Sequence, residues 1–311
     1  MSLSSNPALQ SWSAASNNLR GIVWMVVTGL IFVGVTMTVR AMGPTLPAAE
    51  AAFIRYVIGF LLLGPQILAL ARHWPARSTM KLFGARGLFH ALGVILWFYA
   101  MARIPIAEVT AIGYLTPILV TLGAALFFAE RLRFHRIMGV VLGFAGALII
   151  LRPGFAEVSM GQVAQLGAAL FFAGSYLATK RLTALASPEQ IVLMLTLFCT
   201  ICLAPFALYD WVNPTWRDLG YLTLAAVLAT AGHWTMTKAL SLAPISVTQP
   251  ATFLQLVWAT LVGAAFFGEG IDPWVILGGA IIVGAATWIA KRESQVSAEV
   301  QSLPAGSGKW G

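Results

Sequence analysis

The chain has 311 residues, 59% of them hydrophobic and 10% charged, with a mean hydropathy of +0.83 and a net charge of +8. Soluble domains hold roughly 45–50% apolar and about 25% charged residues, and a chain of this length cannot wrap so large an apolar core, which argues against a soluble enzyme. The 29 glycines and 15 prolines follow no short period, which removes a collagen-like chain as well.

Residues 1–19 are polar, with neither an apolar core nor a small-residue cleavage site, and read as a cytoplasmic tail rather than a signal peptide. Beyond them, a window of about 20 apolar residues finds ten candidate membrane spans. They cover roughly 21–39, 48–71, 82–101, 106–129, 134–151, 161–179, 189–209, 218–240, 245–268 and 274–290. Pro47, Pro105 and Pro244 open the second, fourth and ninth spans. The third is the most polar at its start, with Lys81, Arg86 and His90. Ser159 with Gln162 and Ser187 with Gln190 have the spacing of capping boxes before the sixth and seventh spans, and Asp272-Pro273 is a further start signal before the tenth. Cys199 and Cys202 fall in an apolar run and read as packing residues, not a redox pair. The tail over 292–311 is rich in Ser, Gly and charge and is expected to be disordered. Its Gly-Ser-Gly-Lys lacks the first glycine of a phosphate loop, since Leu303 stands there.

Charge placement orients the spans. With the N-terminus inside, 14 of the 19 Lys and Arg fall on the inner side, Arg86 among them. Arg40, Arg103, Arg152 and Arg217 fall outside, and Arg55 lies within a span. That bias puts both termini in the cytoplasm and accounts for the basic net charge without a nucleic-acid partner.

An internal repeat sets the architecture. A shift of 140 pairs Gly21 with Gly161, Gly34 with Gly174, Arg40 with Lys180 and Pro65 with Pro205. A shift of 139 pairs Pro105-Ile106 with Pro244-Ile245, Glu130 with Glu269 and Gly139 with Gly278. Each half holds five spans, so the second enters the membrane from the opposite side. The expected fold is all-α, with ten transmembrane helices as two inverted five-helix repeats, 20–152 and 160–291.

The run Arg103-Ile104-Pro105-Ile106-Ala107-Glu108-Val109-Thr110-Ala111, then Tyr114-Leu115-Thr116-Pro117, Phe127-Phe128-Ala129-Glu130 and Gly139, resembles the EamA repeat of the drug/metabolite transporter superfamily. Ala243-Pro244-Ile245-Ser246-Val247, Phe267-Gly268-Glu269 and Gly278 repeat it more loosely. The resemblance spans about 20–291 and is specific for the superfamily rather than for a substrate. It implies a central cavity between the repeats and alternating access, with YddG-like amino-acid exporters as the nearest group.

Transport needs polar and aromatic groups near mid-membrane. Stripes at helical spacing occur on the first span (Trp24, Thr28, Phe32, Thr36), the fourth (Thr110, Tyr114, Pro117, Thr121) and the sixth (Gln165, Phe172, Tyr176, Thr179). The eighth carries Thr230, His233, Thr237 and Ser241; the ninth, Thr248, Thr252 and Gln255. The competing reading is that Thr and Ser bond their own helix and Gln joins neighbouring helices. His90 and His233 are the sharper candidates, as donors to a carboxylate or as groups coupled to protons. Trp97, Trp234 and Trp258 fit an aromatic belt poorly and could offer flat walls to substrate. Arg55 either snorkels outward or pairs with Glu50 or Glu108; Lys238 either snorkels or attracts a carboxylate at the inner side.

Pro117 and Pro250 interrupt repeat-related spans and are hinge candidates. Gly139-x-x-x-Gly143 and Ala280-x-x-x-Gly284 are expected helix-contact faces.

The expected substrate-binding set is therefore His90, Trp97, Tyr114, Tyr176, His233, Trp234, Thr237, Gln255 and Trp258. The expected function is export of small zwitterionic metabolites, foremost amino acids of broad type, across the inner membrane. The expected partners are that substrate and the lipid bilayer, with proton coupling through histidine and a monomer or weak dimer. No cofactor, metal or ATP motif is expected. An organic-cation carrier would want an acid in the first span, and 21–39 holds none; a nucleotide-sugar carrier would want clustered Lys or Arg at mid-membrane, where only scattered Arg55 and Lys238 are visible. Intramembrane enzymes would carry motifs that do not occur, which leaves a receptor or structural membrane protein as the non-transport alternative.

Overall fold

The structure is a computed structural model that describes residues 7–66, 75–128, 134–243, 248, 251–252 and 254–302. Among these the chain is all-helical: α1 (Pro7–Met42), α2 (Ala48–Leu62), α3 (Arg77–Met101), α4 (Ile106–Gly113), α5 (Leu115–Phe128), α6 (Phe134–Leu151), α7 (Met160–Leu182), α8 (Pro188–Tyr209), α9 (Trp216–Leu242), α10 (Leu254–Phe267) and α11 (Pro273–Ser302). Four stretches are long and apolar enough to cross a membrane: Asn17–Met42, Arg77–Met101, Ile106–Phe127 and Gln190–Tyr209. Two ends differ from expectation. Helix α1 starts at Pro7, inside the segment read as a tail, and α11 runs on to Ser302.

Local chemistry explains the starts. Ser159 Oγ accepts from the Gln162 N–H while Gln162 Oε1 accepts from the Ser159 N–H, and Ser187 with Gln190 repeats the arrangement. Each box satisfies two backbone donors that a helix start leaves orphaned. A third, Thr215 with Asp218, opens α9 and was not anticipated. Asp272 Oδ1 accepts from the Trp274 N–H at the start of α11.

The fourth span breaks into α4 and α5 at Tyr114, whose N–H turns back to the Ala111 carbonyl. Pro117, three residues on, has no N–H to offer Gly113, so the ladder is interrupted where the hinge was expected. Pro250 lies outside the described residues.

Helix pairing has an internal order. Helix α1 packs on α9, as α7 does on α3; α2 packs on α9, as α8 does on α3; α1 packs on α10, as α7 does on α4 and α5. Helices α2 and α8 meet each other, as do α6 and α11. Glycine permits the last approach, since a Cβ on Gly278 would stand 2.5 Å from the Gly146 carbonyl oxygen. Gly139 and Gly143 face Ile289 and Ile118, in agreement with a contact face on the fifth span. The corresponding Ala280 and Gly284 face is different: both are exposed, and Gly278 and Gly279 make the close contacts instead.

One end of the bundle is tied by polar contacts between the two halves. Arg40 Nε donates to Glu269 Oε1 at 3.1 Å, and Glu269 Oε2 accepts from the Ile106 N–H at 2.9 Å. Arg152 is paired with Asp272, Thr45 donates to Asp218 at 2.8 Å, Glu50 accepts from the Val212 N–H at 2.9 Å, and Gln162 donates to Glu108 at 2.8 Å. Arg152 holds φ at +47°, a left-handed conformation that costs a non-glycine residue energy and is anchored by its ion pair.

Candidate functional site

A polar cluster forms where α2, α3 and α7 converge. His90 Nε2 lies 2.9 Å from Tyr56 Oη, and His90 Nδ1 lies 3.4 Å from Ser175 Oγ. The Phe172 ring stands 5.1 Å from the His90 ring, and Trp97 meets the same Phe172 edge-on at 6.2 Å. Gly93 makes room for it, since a Cβ there would fall 2.8 Å from Phe172 Cδ1. The imidazole is thus held between the Tyr56 phenol, the Ser175 hydroxyl and the Phe172 ring.

Cations surround this cluster. The Arg55 guanidinium lies 4.4 Å from the centre of the Tyr56 ring. Arg86, one helical turn before His90 on α3, is 8% exposed and donates through Nη1 to the Ile191 carbonyl of α8, while its Nε has no partner. Arg55, Arg86 and His233 all fall within electrostatic range of His90. Arg86, counted above with the inner loops and helix ends, is thus buried between α3 and α8. The expected pairing of Arg55 with Glu50 or Glu108 is not formed, because those acids accept from Val212 and Gln162.

Tyr176, 59% exposed, and His233, also exposed, keep open surface although both interact electrostatically with buried Arg86. His233 additionally packs against Phe32 at 5.5 Å.

The remaining expected residues take other places. Trp234 packs edge-on against Trp24 at 5.5 Å, near the far end of α9. Tyr114 Oη donates to the Thr252 carbonyl at 2.9 Å and ties the break in the fourth span to the ninth-span segment. Gln255 sits beside Gly29 of α1. Trp258 packs against Val33, Ile106 and Ala259 and leaves its Nε1–H unpartnered. Thr237 donates to the His233 carbonyl. Thr230, Thr121, Thr110 and Thr179 likewise bond carbonyls of their own helices, so the helix-internal reading of these stripes holds. Gln165 joins α7 to the Val109 carbonyl of α4, as glue between helices.

Sequence reasoning missed Arg86, Tyr56 and Ser175 as partners of His90. For Arg86 a signal existed: Arg86, His90 and Trp97 recur at i, i+4 and i+11, one face of a helix.

Comparison with known proteins settles the kind of molecule. The EamA-like transporter family model matches residues 19–152 and again 159–291. The chain belongs to the EamA-like transporter family. A riboflavin transporter of Rhizobium johnstonii is 31% identical over 281 residues, covering 88% of this chain and 91% of that protein. A pseudopaline exporter of Pseudomonas aeruginosa is 30% identical, with 87% and 96% covered. An S-adenosylmethionine uptake transporter of Rickettsia bellii is 23% identical, with 93% and 98% covered. A solved crystal structure shares the fold at a TM-score of 0.55 and 18% identity, covering 91% of this chain and 99% of that one. The EamA protein is thus a membrane transporter of small molecules, and the names of its relatives are those of transporters, not enzymes. Those names do not single out amino acids.

Proposed function

We propose that the EamA protein is a secondary transporter that moves small metabolites across the inner membrane by alternating access between two inverted five-span repeats, 20–152 and 160–291. The observation that carries this reading is the clustering of His90, Tyr56, Ser175, Trp97 and Phe172 within the helix bundle, with exposed Tyr176 and His233 in electrostatic range of buried Arg86. Support for the inverted relation comes from helix pairing that repeats when the first five spans are exchanged for the last five. Both termini lie on the cytoplasmic side in this reading, with 1–19 and 292–311 as tails. The ion-paired end then faces outward, and the protein is closed to the outside.

The favoured cargo is a small metabolite that combines a carboxylate with an apolar or flat body. His90 and its hydroxyl neighbours suit the carboxylate; Trp97, Phe172 and Phe32 suit the body. Export of zwitterions such as amino acids is the first form of this to test. A second reading, transport of a riboflavin-like ring that has no carboxylate, is favoured by the Rhizobium johnstonii relative and by the same aromatic walls.

The test is reconstitution in liposomes with labelled amino acids, riboflavin, an organic cation and a nucleotide sugar, each with and without a proton gradient. Movement of an amino acid or riboflavin supports the reading. Movement of the organic cation or the nucleotide sugar alone overturns the cargo assignment, and movement of nothing overturns the transport reading.

A further inference from the structure

Among the described residues, the region between α2, α3 and α8 carries more positive charge than its carboxylates neutralise. Arg86 is 8% exposed on α3, and Arg55 stands beside the Tyr56–His90 pair on α2. Among the described residues no carboxylate is paired with either. Glu50, Glu108, Asp218, Glu269 and Asp272 are all engaged at the ion-paired end. The one partner Arg86 has, the Ile191 carbonyl, is neutral and uses a single nitrogen of the guanidinium fork. Its Nε is buried and unsatisfied. A buried cation without a counter-charge is costly, and such a charge within a transporter helix marks a substrate path.

We infer that Arg86, with Arg55 across the Tyr56–His90 pair, is the anion subsite of the cargo pathway, and that the carried molecule is a net anion bearing a carboxylate or phosphate. The inference rests on the transport reading above and narrows its carboxylate cargo to a net anion in place of the zwitterion. A monocarboxylate zwitterion would bring one negative charge and one positive charge into a site that already holds two guanidiniums. A dicarboxylate or phosphate monoester supplies the missing charge without adding a cation. The planar fork of Arg86 suits either oxygen pair, and the Tyr56 and Ser175 hydroxyls offer donors to the oxygens left over.

The test uses the full-length protein in detergent and in liposomes. Thermal stabilisation and uptake are measured with glutarate, glycerol phosphate, alanine and riboflavin, on wild type, Arg86→Gln, Arg86→Lys and Arg55→Gln. The expected result is stabilisation of wild type by glutarate or glycerol phosphate, with apparent affinity reduced about 10–100-fold in Arg86→Gln. Arg55→Gln gives a smaller loss and Arg86→Lys an intermediate one, while riboflavin or alanine, where carried, is affected least. Preference for one anion over the other identifies the headgroup as carboxylate or phosphate. Equal anion affinity in Arg86→Gln and wild type overturns the inference. So does transport of alanine or riboflavin by a wild type that no anion stabilises; that outcome leaves the transport reading standing. Anion binding without movement of any cargo overturns the transport reading and, with it, the assignment of the site to a cargo pathway. If Arg86→Gln does not fold, Arg55→Gln and Arg86→Lys decide: unchanged anion affinity in both overturns the inference.

Discussion

Glu269→Gln is the most informative perturbation of the ion-paired end. Glu269 is nearly buried and accepts two bonds from the first half, from Arg40 Nε at 3.1 Å and from the Ile106 N–H at 2.9 Å. The amide keeps the shape and removes the charge. Converting the Ile106 bond from charge-assisted to neutral costs about 1 kcal/mol. Loss of the Arg40 pair costs about 1–2 kcal/mol, less than the 3–5 kcal/mol typical of a fully buried pair, because the Arg40 side chain keeps 22% exposure. The sum of about 2–3 kcal/mol corresponds to a shift of roughly 30–150-fold in the equilibrium between the closed and open forms of this end. Val33, 2% exposed and packed with Ile106 and Ala259, is a suitable reporter. Val33→Cys, in a background without Cys199 and Cys202, should react with a membrane-impermeant maleimide at least about tenfold faster when Glu269→Gln is added. A rate unchanged within twofold, in protein that still folds, would refute the assignment of Glu269 as a latch between the halves.

Three further outcomes are expected. Tyr56→Phe removes the Oη that lies 2.9 Å from His90 Nε2 and should lower transport about tenfold with little change in thermal stability; a large loss of folded protein would make the phenol structural instead. Gly278→Val drives a branched side chain against the Gly146 carbonyl and Ile150, and should lower the melting temperature sharply, with an overpacking cost of about 1–3 kcal/mol or more. Ser159→Ala removes one capping bond from α7, so a loss of about 1 kcal/mol in stability with transport retained is expected, and a transport defect at full stability would contradict it.

What could be read from the sequence depended on range. The caps at Ser159, Ser187 and Asp272 are contacts between residues two or three apart, and the break above Pro117 follows from one missing N–H. The repeat was legible because matched register survives in Gly139 and Gly278. The site was legible only in part, because its contacts join distant segments: His90 to Tyr56 over 34 positions and to Ser175 over 85. Hydroxyl stripes said little about the site, since Thr at any helical position can bond the carbonyl four residues back, as Thr230, Thr237 and Thr110 do. The burial of Arg86 was hidden for a different reason: a cation in the first half of an apolar helix lowers the hydropathy there and looks like a helix end.

The distribution of acids bears on which cargo the bundle can accept. Glu50, Glu108, Asp218 and Asp272 sit at or within the first turn of a helix, where the helix dipole favours an anion, and Glu269, in the loop after α10, accepts from the first N–H of α4. Each is engaged by a donor from the opposite half of the chain. Acid is therefore spent on joining the halves at one end, while Arg55, Arg86, His90 and His233 share the interior. At an effective dielectric near 20, one unit charge about 4 Å from another contributes about 4 kcal/mol. A cationic cargo beside Arg86 would meet repulsion of that order with no described carboxylate to offset it. An organic cation should accordingly neither stabilise the protein nor compete with a bound anion. Competition at micromolar concentration would show that the cargo path avoids α3, and would separate the His90 cluster from transport.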